Sequence, residues 1–356
     1  GVKDTNGFTR QNWFEPVGKE CKMLREKAGI IDISNFAKYV VQGKKGRDWL
    51  DAVFANKMPT EVGRSCLTPL ISRRGGLAGD FTVTLIAQDE YWIFGSGMAE
   101  RYHKRFFDSV PLPEGVRFDS RTEAVCGFNL AGPLSRKILQ RLTNTSLNNE
   151  DFQFMRSKCA DLAGIDVKML RVSFTGDLGW EVHCNTADQK ALYTALLETG
   201  KEFGVGPVGS RALMAMRVEK GYGSWSREYS PEYWPHEQGM DRLCKMDKDF
   251  LNKAALQAVL AQEPREQMVL LHLNEAAVTA SNADATGGEP VFKDGNGVGR
   301  VTSGAYGYSV GLSLALAMVK DVGPGDEVEV MVLGQPHKAK ILHQPPFDPT
   351  GKKLRA

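Results

Sequence analysis

FGVGPVGSRALMAMRVEKG, residues 203–221, spaces Gly204, Gly206 and Gly209 as G-x-G-x-x-G, and the fold turns on whether those glycines cradle a dinucleotide. Such a fingerprint holds a pyrophosphate only where a strand runs in and a helix runs out. The outgoing helix is in the pattern, since Ala212, Leu213, Ala215, Met216 and Val218 give one apolar face. The incoming strand is not. Residues 187–203, ADQKALYTALLETGKEF, place Ala191, Leu192, Ala195, Leu196 and Phe203 at helical spacing with no β-branched run. Pro207 also lacks the backbone N–H that a phosphate cradle uses. The glycines therefore read as a helix stop, a turn and the start of a second helix capped by Ser210.

Working outward, residues 17–28 predict a helix and GIIDISNFAKYVVQG predicts strands around a turn. KKGRDWLDAVFA (44–55) has the pattern of a short amphipathic helix. In LTPLISRRGGLAGDFTVTLIAQDEYWIFGSG, Arg73–Gly76 and Gln88–Glu90 are turns between strands, and Phe81, Val83 and Leu85 alternate with Thr82, Thr84 and Ile86. Residues 99–108 are helical, VCGFNLAG is a strand, and Pro133 opens a helix over LSRKILQRL. MLRVSFTG and LGWEVHC are further strands. Mixed strands and helices without long βα alternation favour α+β over a doubly wound parallel sheet. From residue 266 to 356 the character changes to short strands cut by Gly, Pro, Asp and Asn, an all-β barrel or sandwich of roughly six strands. AQEPREQ is the expected linker, so residues 1–265 stand apart from 266–356.

The 356 residues exceed one comfortable core, so two or three packed units are expected. Forty-five basic and 43 acidic residues leave a formal charge of +2, which supports neither a nucleic-acid nor a membrane partner. No apolar run is long enough to span a bilayer. GVKDTNGFTRQNWFEP has no signal-peptide core and no starting Met, so a processed, tagged or excised chain is expected. Six scattered cysteines without a C-x-x-C predict reduced, mostly buried thiols of an intracellular protein. No His, Cys and carboxylate cluster has metal-ligand spacing, so no metal is assigned.

Four groupings carry candidate chemistry. GGLAGDFTV sets Asp80 at the start of a strand, where a carboxylate is by default a turn or cap residue. In SFTGDLGWEVH, Glu181 lies in a strand directly after Trp180, an acceptor beside apolar walls suited to a flat heteroaromatic ligand with N–H donors. In MRVEKGYGSWSRE, Arg217 and Glu219 share the last helical turn before Gly221, by themselves a surface ion pair of little worth. WPHEQGMD brackets Glu237 with Pro235 and Gly239, by itself a loop.

In this order, these groupings resemble the folate-dependent aminomethyltransferases, the T-protein of the glycine cleavage system. They are closer still to the folate-binding C-terminal half of dimethylglycine and sarcosine dehydrogenases. NWFEPVG, FGSG, FNLAGPLSRKIL, RVEKGYGSW and VTSGAYGYSVGLSLALAMV extend the resemblance over nearly the whole chain. It implies a three-domain ring, two mixed α/β domains and a C-terminal β-barrel, around tetrahydrofolate. The matching positions imply that Asp80 lies beside the reactive nitrogens and that Glu181 reads the pterin. They imply that Arg217, Phe94, Ser96, Phe174 and Trp225 complete the pocket. Ser96 stands where the T-protein has asparagine, Phe174 where it has tyrosine, and Trp225 where many members have tyrosine. These departures favour the dehydrogenase branch over glycine cleavage itself.

The implied activity is transfer of a methyl or methylene group from a methylated amine to tetrahydrofolate. No credible flavin fingerprint exists, so an iminium or formaldehyde equivalent would come from a separate flavin dehydrogenase. The chain would then be a stand-alone relative or an excised folate half. If the donor is a sulfonium or betaine such as dimethylsulfoniopropionate, the chain is a demethylase acting alone. Tyr222, Trp225, Tyr229, Tyr233 and Trp234 form an aromatic-rich run that would either wall that cation or pack in the core and loops. A non-catalytic folate-binding regulator is the remaining alternative. The expected compartment is the cytoplasm, with the mitochondrial matrix second.

Overall fold

A computed structural model describes Gly7, residues 10–274 and residues 283–356. Half of the N-terminal stretch read for a signal peptide, residues 1–6, 8 and 9, lies outside the described residues. The first elements are α1 (Phe14–Glu26), β1 (Gly29–Asp32), β2 (Ala37–Gln42), α2 (Gly46–Val53), β3 (Ser65–Ile71), β4 (Leu77–Ala87), β5 (Glu90–Gly95), α3 (Glu100–Phe107) and β6 (Arg117–Ser120). Then come β7 (Val125–Ala131), α4 (Ser135–Leu139), β8 (Ser157–Leu162), β9 (Ile165–Leu170), β10 (Gly179–Asn185), α5 (Gln189–Lys201), β11 (Gly206–Pro207), α6 (Ser210–Glu219) and α7 (Lys253–Leu260). The last six strands are β12 (Gln267–Leu273), β13 (Pro290–Lys293), β14 (Asn296–Gly307), β15 (Leu312–Val319), β16 (Glu327–Val332) and β17 (Gln335–Ile341).

These strands make two mixed α/β sheets and a barrel. One sheet runs β11-β1-β7-β10-β9-β8, another β3-β4-β5-β2-β6, and β12-β15-β14-β13-β16-β17 close on themselves. The five-stranded sheet is inserted between β1 and β7 of the six-stranded one, so the two α/β units are interleaved. The only parallel pairing among these strands is β1 with β11. The roughly six-stranded all-β unit expected from its turn-rich pattern is this closed barrel, whose Val291, Ala315, Ala317, Val330 and Ile341 fill the interior.

The glycine-rich stretch behaves as a helix break. Gly204 takes a left-handed φ of +68° after α5. The two-residue β11 adds to the sheet edge, and α6 follows. Ser210 is not the cap: Gly209 holds that position and its N–H donates to Glu20 Oε2 of α1 at 2.8 Å. A carboxylate from another helix does what the local serine was expected to do. LSRKILQRL is helical only over α4, because the Gln140 side chain turns the chain by binding the Thr143 and Thr145 carbonyls and the Leu147 N–H. MLRVSFTG stops being strand at Leu170. There the buried Arg171 turns to the Phe152 and Ala356 carbonyls, both at 2.6 Å. The linker is pinned too, with Arg265 paired to the buried Glu237 at 2.8 Å.

Packing explains how the sheets meet. Phe128, Leu130, Trp180 and Val182 face α5 through Leu192 and Leu196. Tyr39, Val41, Phe81, Val83 and Ile93 face α2 and α3 through Trp49, Leu50, Val53 and Phe107. The opposite faces of the two sheets then bury Val40, Ile86, Trp92, Phe94, Val125 and Leu170 against each other. Both faces of each sheet are therefore covered, which is why neither reads as a clean polar alternation.

Candidate functional site

Strand alternation assigns the polar residues of that inter-sheet layer. On β4, Asp80, Thr82 and Thr84 share the face of Ile86, and Thr82 pairs with Phe94 of β5. On β2, Lys38 pairs with Phe94 and Val40 with Trp92. Across the gap, Glu181 and His183 of β10 point opposite to Trp180, Val182 and Cys184, and Glu181 pairs with Asn129 of β7. The layers touch directly. The Phe94 ring stacks on His183 at 4.6 Å, the Lys168 ammonium sits 4.6 Å from the Trp92 ring, and Thr84 Oγ1 meets Ser157 Oγ at 2.5 Å.

Two acids occupy this layer under different constraints. Asp80 lies inside β4, opposite Pro69, and is neither turn nor cap. Burial pushes its carboxyl from the ordinary 3.8 up to about 6, opposed only by a backbone hydrogen bond. No basic side chain among the described residues relieves it. Tyr229 is within electrostatic reach: burial, then the Asp80 charge, raise its phenol. Glu181, 13% exposed at its side chain, has Oε2 3.4 Å from His183 Nε2. The fully buried Lys38 donates to the Ser34 and Phe36 carbonyls, both at 2.8 Å. Burial lowers its pKa, opposed chiefly by Cys126 and Glu181.

The structure thus brings Asp80, Phe94 and Glu181 onto facing surfaces. Ser96 follows β5 directly, half-buried at the head of a single 3₁₀ turn, Gly97–Ala99. Phe174, in the loop before β10, stacks on Tyr222 at 6.1 Å. Trp225 packs edge-on against His103 at 4.9 Å. His103 in turn leans on Phe81, which points to the core behind β4.

Arg217 does not join them, nor does it pair with Glu219. Its buried guanidinium binds Glu228 at 2.9 Å, the Tyr222 carbonyl at 2.8 Å and Ser303 of the barrel. Glu219 instead binds Arg25 at 2.6 Å, and Arg25 also holds Asp177. Of the five aromatics considered as walls for a cation, Tyr229 is bridged to Trp225 and four have other partners. Tyr222 goes to Phe174, Trp225 to His103, Tyr233 to Arg300, and Trp234 to His236 and Arg265. All six cysteines are free; Cys159 is exposed, Cys66 half-buried and the other four buried.

Sequence reasoning missed Lys38 and His183, and named Tyr229 only as one of a run of aromatics, not as a neighbour of Asp80. Lys38 carries a faint signal, a lysine alternating with Val40 on a strand whose neighbours are apolar. Two surface clefts, of about 430 and 470 Å³, contain no predicted site residue.

Tetrahydrofolate fits the donor set of this layer. A half-buried acceptor carboxylate between aromatic and aliphatic walls suits a flat ring with adjacent N–H groups. A second carboxylate held near neutrality by burial suits proton exchange with an amine.

Comparisons with known proteins agree in extent. The GCVT N-terminal domain model matches residues 1–248, and the glycine cleavage T-protein C-terminal barrel domain model matches residues 267–348. Mouse mitochondrial dimethylglycine dehydrogenase is 33% identical over 346 residues, covering 95% of this chain and 39% of that protein. A probable aminomethyltransferase of Thermococcus kodakarensis is 26% identical over 385 residues, covering 98% of this chain and 94% of that protein. The solved glycine cleavage system aminomethyltransferase T from Bartonella henselae shares the fold, with a TM-score of 0.84 at 21% identity over 98% of this chain and 95% of that one. The chain spans about two fifths of the length of the dehydrogenase relatives. No helix among the described residues is long and apolar enough to cross a membrane.

Proposed function

The chain belongs to the glycine cleavage T-protein family of folate-dependent transferases, and on that premise we propose that it moves a methyl or methylene group from a methylated amine of the dimethylglycine or sarcosine type to tetrahydrofolate. The observation that carries this reading is Asp80, a carboxylate inside a strand with no other charged residue, without a cationic partner among the described residues and pushed up to about 6. A structural role gives no reason to keep an uncompensated acid there, whereas amine chemistry does.

Glu181 would accept the paired ring N–H groups of the pterin, with Phe94 beside it and Ser96 and Phe174 at the rims. Bound tetrahydrofolate supplies the nucleophilic amine that takes up the one-carbon unit. Asp80 orients that amine, stabilises positive charge on the incoming carbon and holds the released proton on a carboxylate oxygen. The inter-sheet layer excludes water from the exchange. Arg217 and Trp225 act behind this surface, Arg217 by tying α6 to the barrel through Ser303.

The donor would reach the site as an iminium or formaldehyde equivalent made by a flavin-dependent amine dehydrogenase. That enzyme is the proposed partner. The free thiols fit a reducing compartment, the cytoplasm or the mitochondrial matrix.

Titrating tetrahydrofolate by calorimetry into wild type, Glu181→Ala and Asp80→Asn tests the roles. Glu181→Ala should lose binding. Asp80→Asn should bind yet turn over at least about tenfold more slowly, as one acid–base group contributes roughly 10²–10⁴. Undiminished turnover by Asp80→Asn removes that residue from the chemistry, and turnover absent from wild type with every amine donor leaves a folate-binding regulator.

A further inference from the structure

His183 is fully enclosed, with a side-chain exposure of 0%, yet neither ring nitrogen has a hydrogen-bond partner among the described residues. A buried imidazole left in that state costs stability, so its presence needs a reason. The ring is clamped. Phe94 covers one face at 4.6 Å with 28° between planes. On β7, a Cβ at Gly127 would stand 2.5 Å from Nδ1, so glycine there is what admits the ring. Clamped this way, Nε2 faces Glu181 Oε2 at 3.4 Å.

Burial opposes a charge on the imidazole and outweighs the Glu181 contact and charge that favour one, with Lys38 and Lys168 adding to the opposition. A neutral imidazole carries one N–H. Were that proton on Nδ1, the Nε2 lone pair would face a carboxylate, so the Nε2–H tautomer is selected.

We propose that His183 is the positioning residue for Glu181: its Nε2–H donates to Oε2 and fixes the carboxylate plane, leaving the outer lone pairs aimed at the pterin's paired N–H donors. The inference rests on the reading of Glu181 as the pterin acceptor. The 3.4 Å contact is longer than a good hydrogen bond and closes when the ligand draws the carboxylate into register. Phe94 then has a second task besides lining the pocket, because its ring sets the imidazole plane.

The test titrates tetrahydrofolate by calorimetry into wild type, His183→Phe, His183→Gln, Glu181→Gln and the double variant His183→Phe/Glu181→Gln. His183→Phe keeps the stack on Phe94 but removes the donor, and should weaken binding about tenfold or more. His183→Gln restores an N–H and should recover much of the loss. In the Glu181→Gln background, His183→Phe should have no further effect, a result that a merely structural histidine does not produce. If His183→Phe melts well below wild type, His183→Leu against His183→Gln carries the same comparison of no donor with donor.

Wild-type affinity in both donor-less variants, with Glu181→Gln weak, overturns the positioning role alone. Equal losses from His183→Phe in the wild-type and Glu181→Gln backgrounds overturn it as well. Wild-type affinity in Glu181→Gln overturns the acceptor role of Glu181, and the positioning role with it.

Discussion

Replacing Asp80 by asparagine should make the protein more stable while making it a poorer enzyme. The carboxyl rises from 3.8 to about 6 because burial strips water from the charged form. The folded chain therefore holds this proton more tightly than the unfolded chain. The resulting penalty is absent well below pH 3.8, grows as pH climbs from there to about 6, and is constant above. At about 1.4 kcal/mol per pH unit, it reaches about 3 kcal/mol at pH 8 and roughly half that at pH 5. Partial solvent screening of a half-buried group trims the upper figure toward about 2 kcal/mol. With an unfolding entropy of about 2.1 cal/mol/K per residue over 356 residues, Asp80→Asn should melt about 3–4 °C higher at pH 8. The gain should shrink to about 2 °C at pH 5. Scanning calorimetry of both proteins at the two pH values measures it. An asparagine variant no more stable at pH 8, or one whose gain stays constant down to pH 5, would refute the desolvated carboxylate and the proton-exchange role built on it.

Turnover should follow the ionised form of Asp80, falling about tenfold per pH unit below about 6 and levelling above it, as read from a pH–rate profile at saturating folate. A flat profile between pH 5 and 8 contradicts this. Glu228→Ala strands the buried Arg217 guanidinium and should cost about 3–5 kcal/mol in denaturant unfolding. A loss under about 1 kcal/mol would mean that the pair does not clamp α6 to the barrel.

Much of this architecture was legible where local pattern and tertiary need coincide. The barrel strands are short, bounded by turn residues, and line one interior. The helix on either side of Gly204 follows from spacing alone. Asp80 and Glu181 are singled out by the family resemblance, since by pattern alone Asp80 reads as a turn or cap residue and Glu181 differs from a solvated strand residue only in following Trp180. The partner of a charge was not legible. Arg217 and Glu219 are two apart in sequence, yet each finds its counter-ion elsewhere, at Glu228 and Arg25, because burial ranks available partners across the fold. Ser210 lost its expected cap role to Glu20 for the same reason. The interleaving of the two sheets, which turns Lys38 and His183 toward each other's strands, depends on pairings such as Lys38 with Phe94 that no local window contains.

The most direct measurement follows labelled carbon. Dimethylglycine or sarcosine carrying ¹³C-methyl groups is oxidised by a flavin dehydrogenase in the presence of tetrahydrofolate, with and without this chain. Transfer at Asp80 predicts label in 5,10-methylenetetrahydrofolate at a rate well above the spontaneous condensation of free formaldehyde, and a fall toward that background with Asp80→Asn. Identical label incorporation with and without the chain would contradict it.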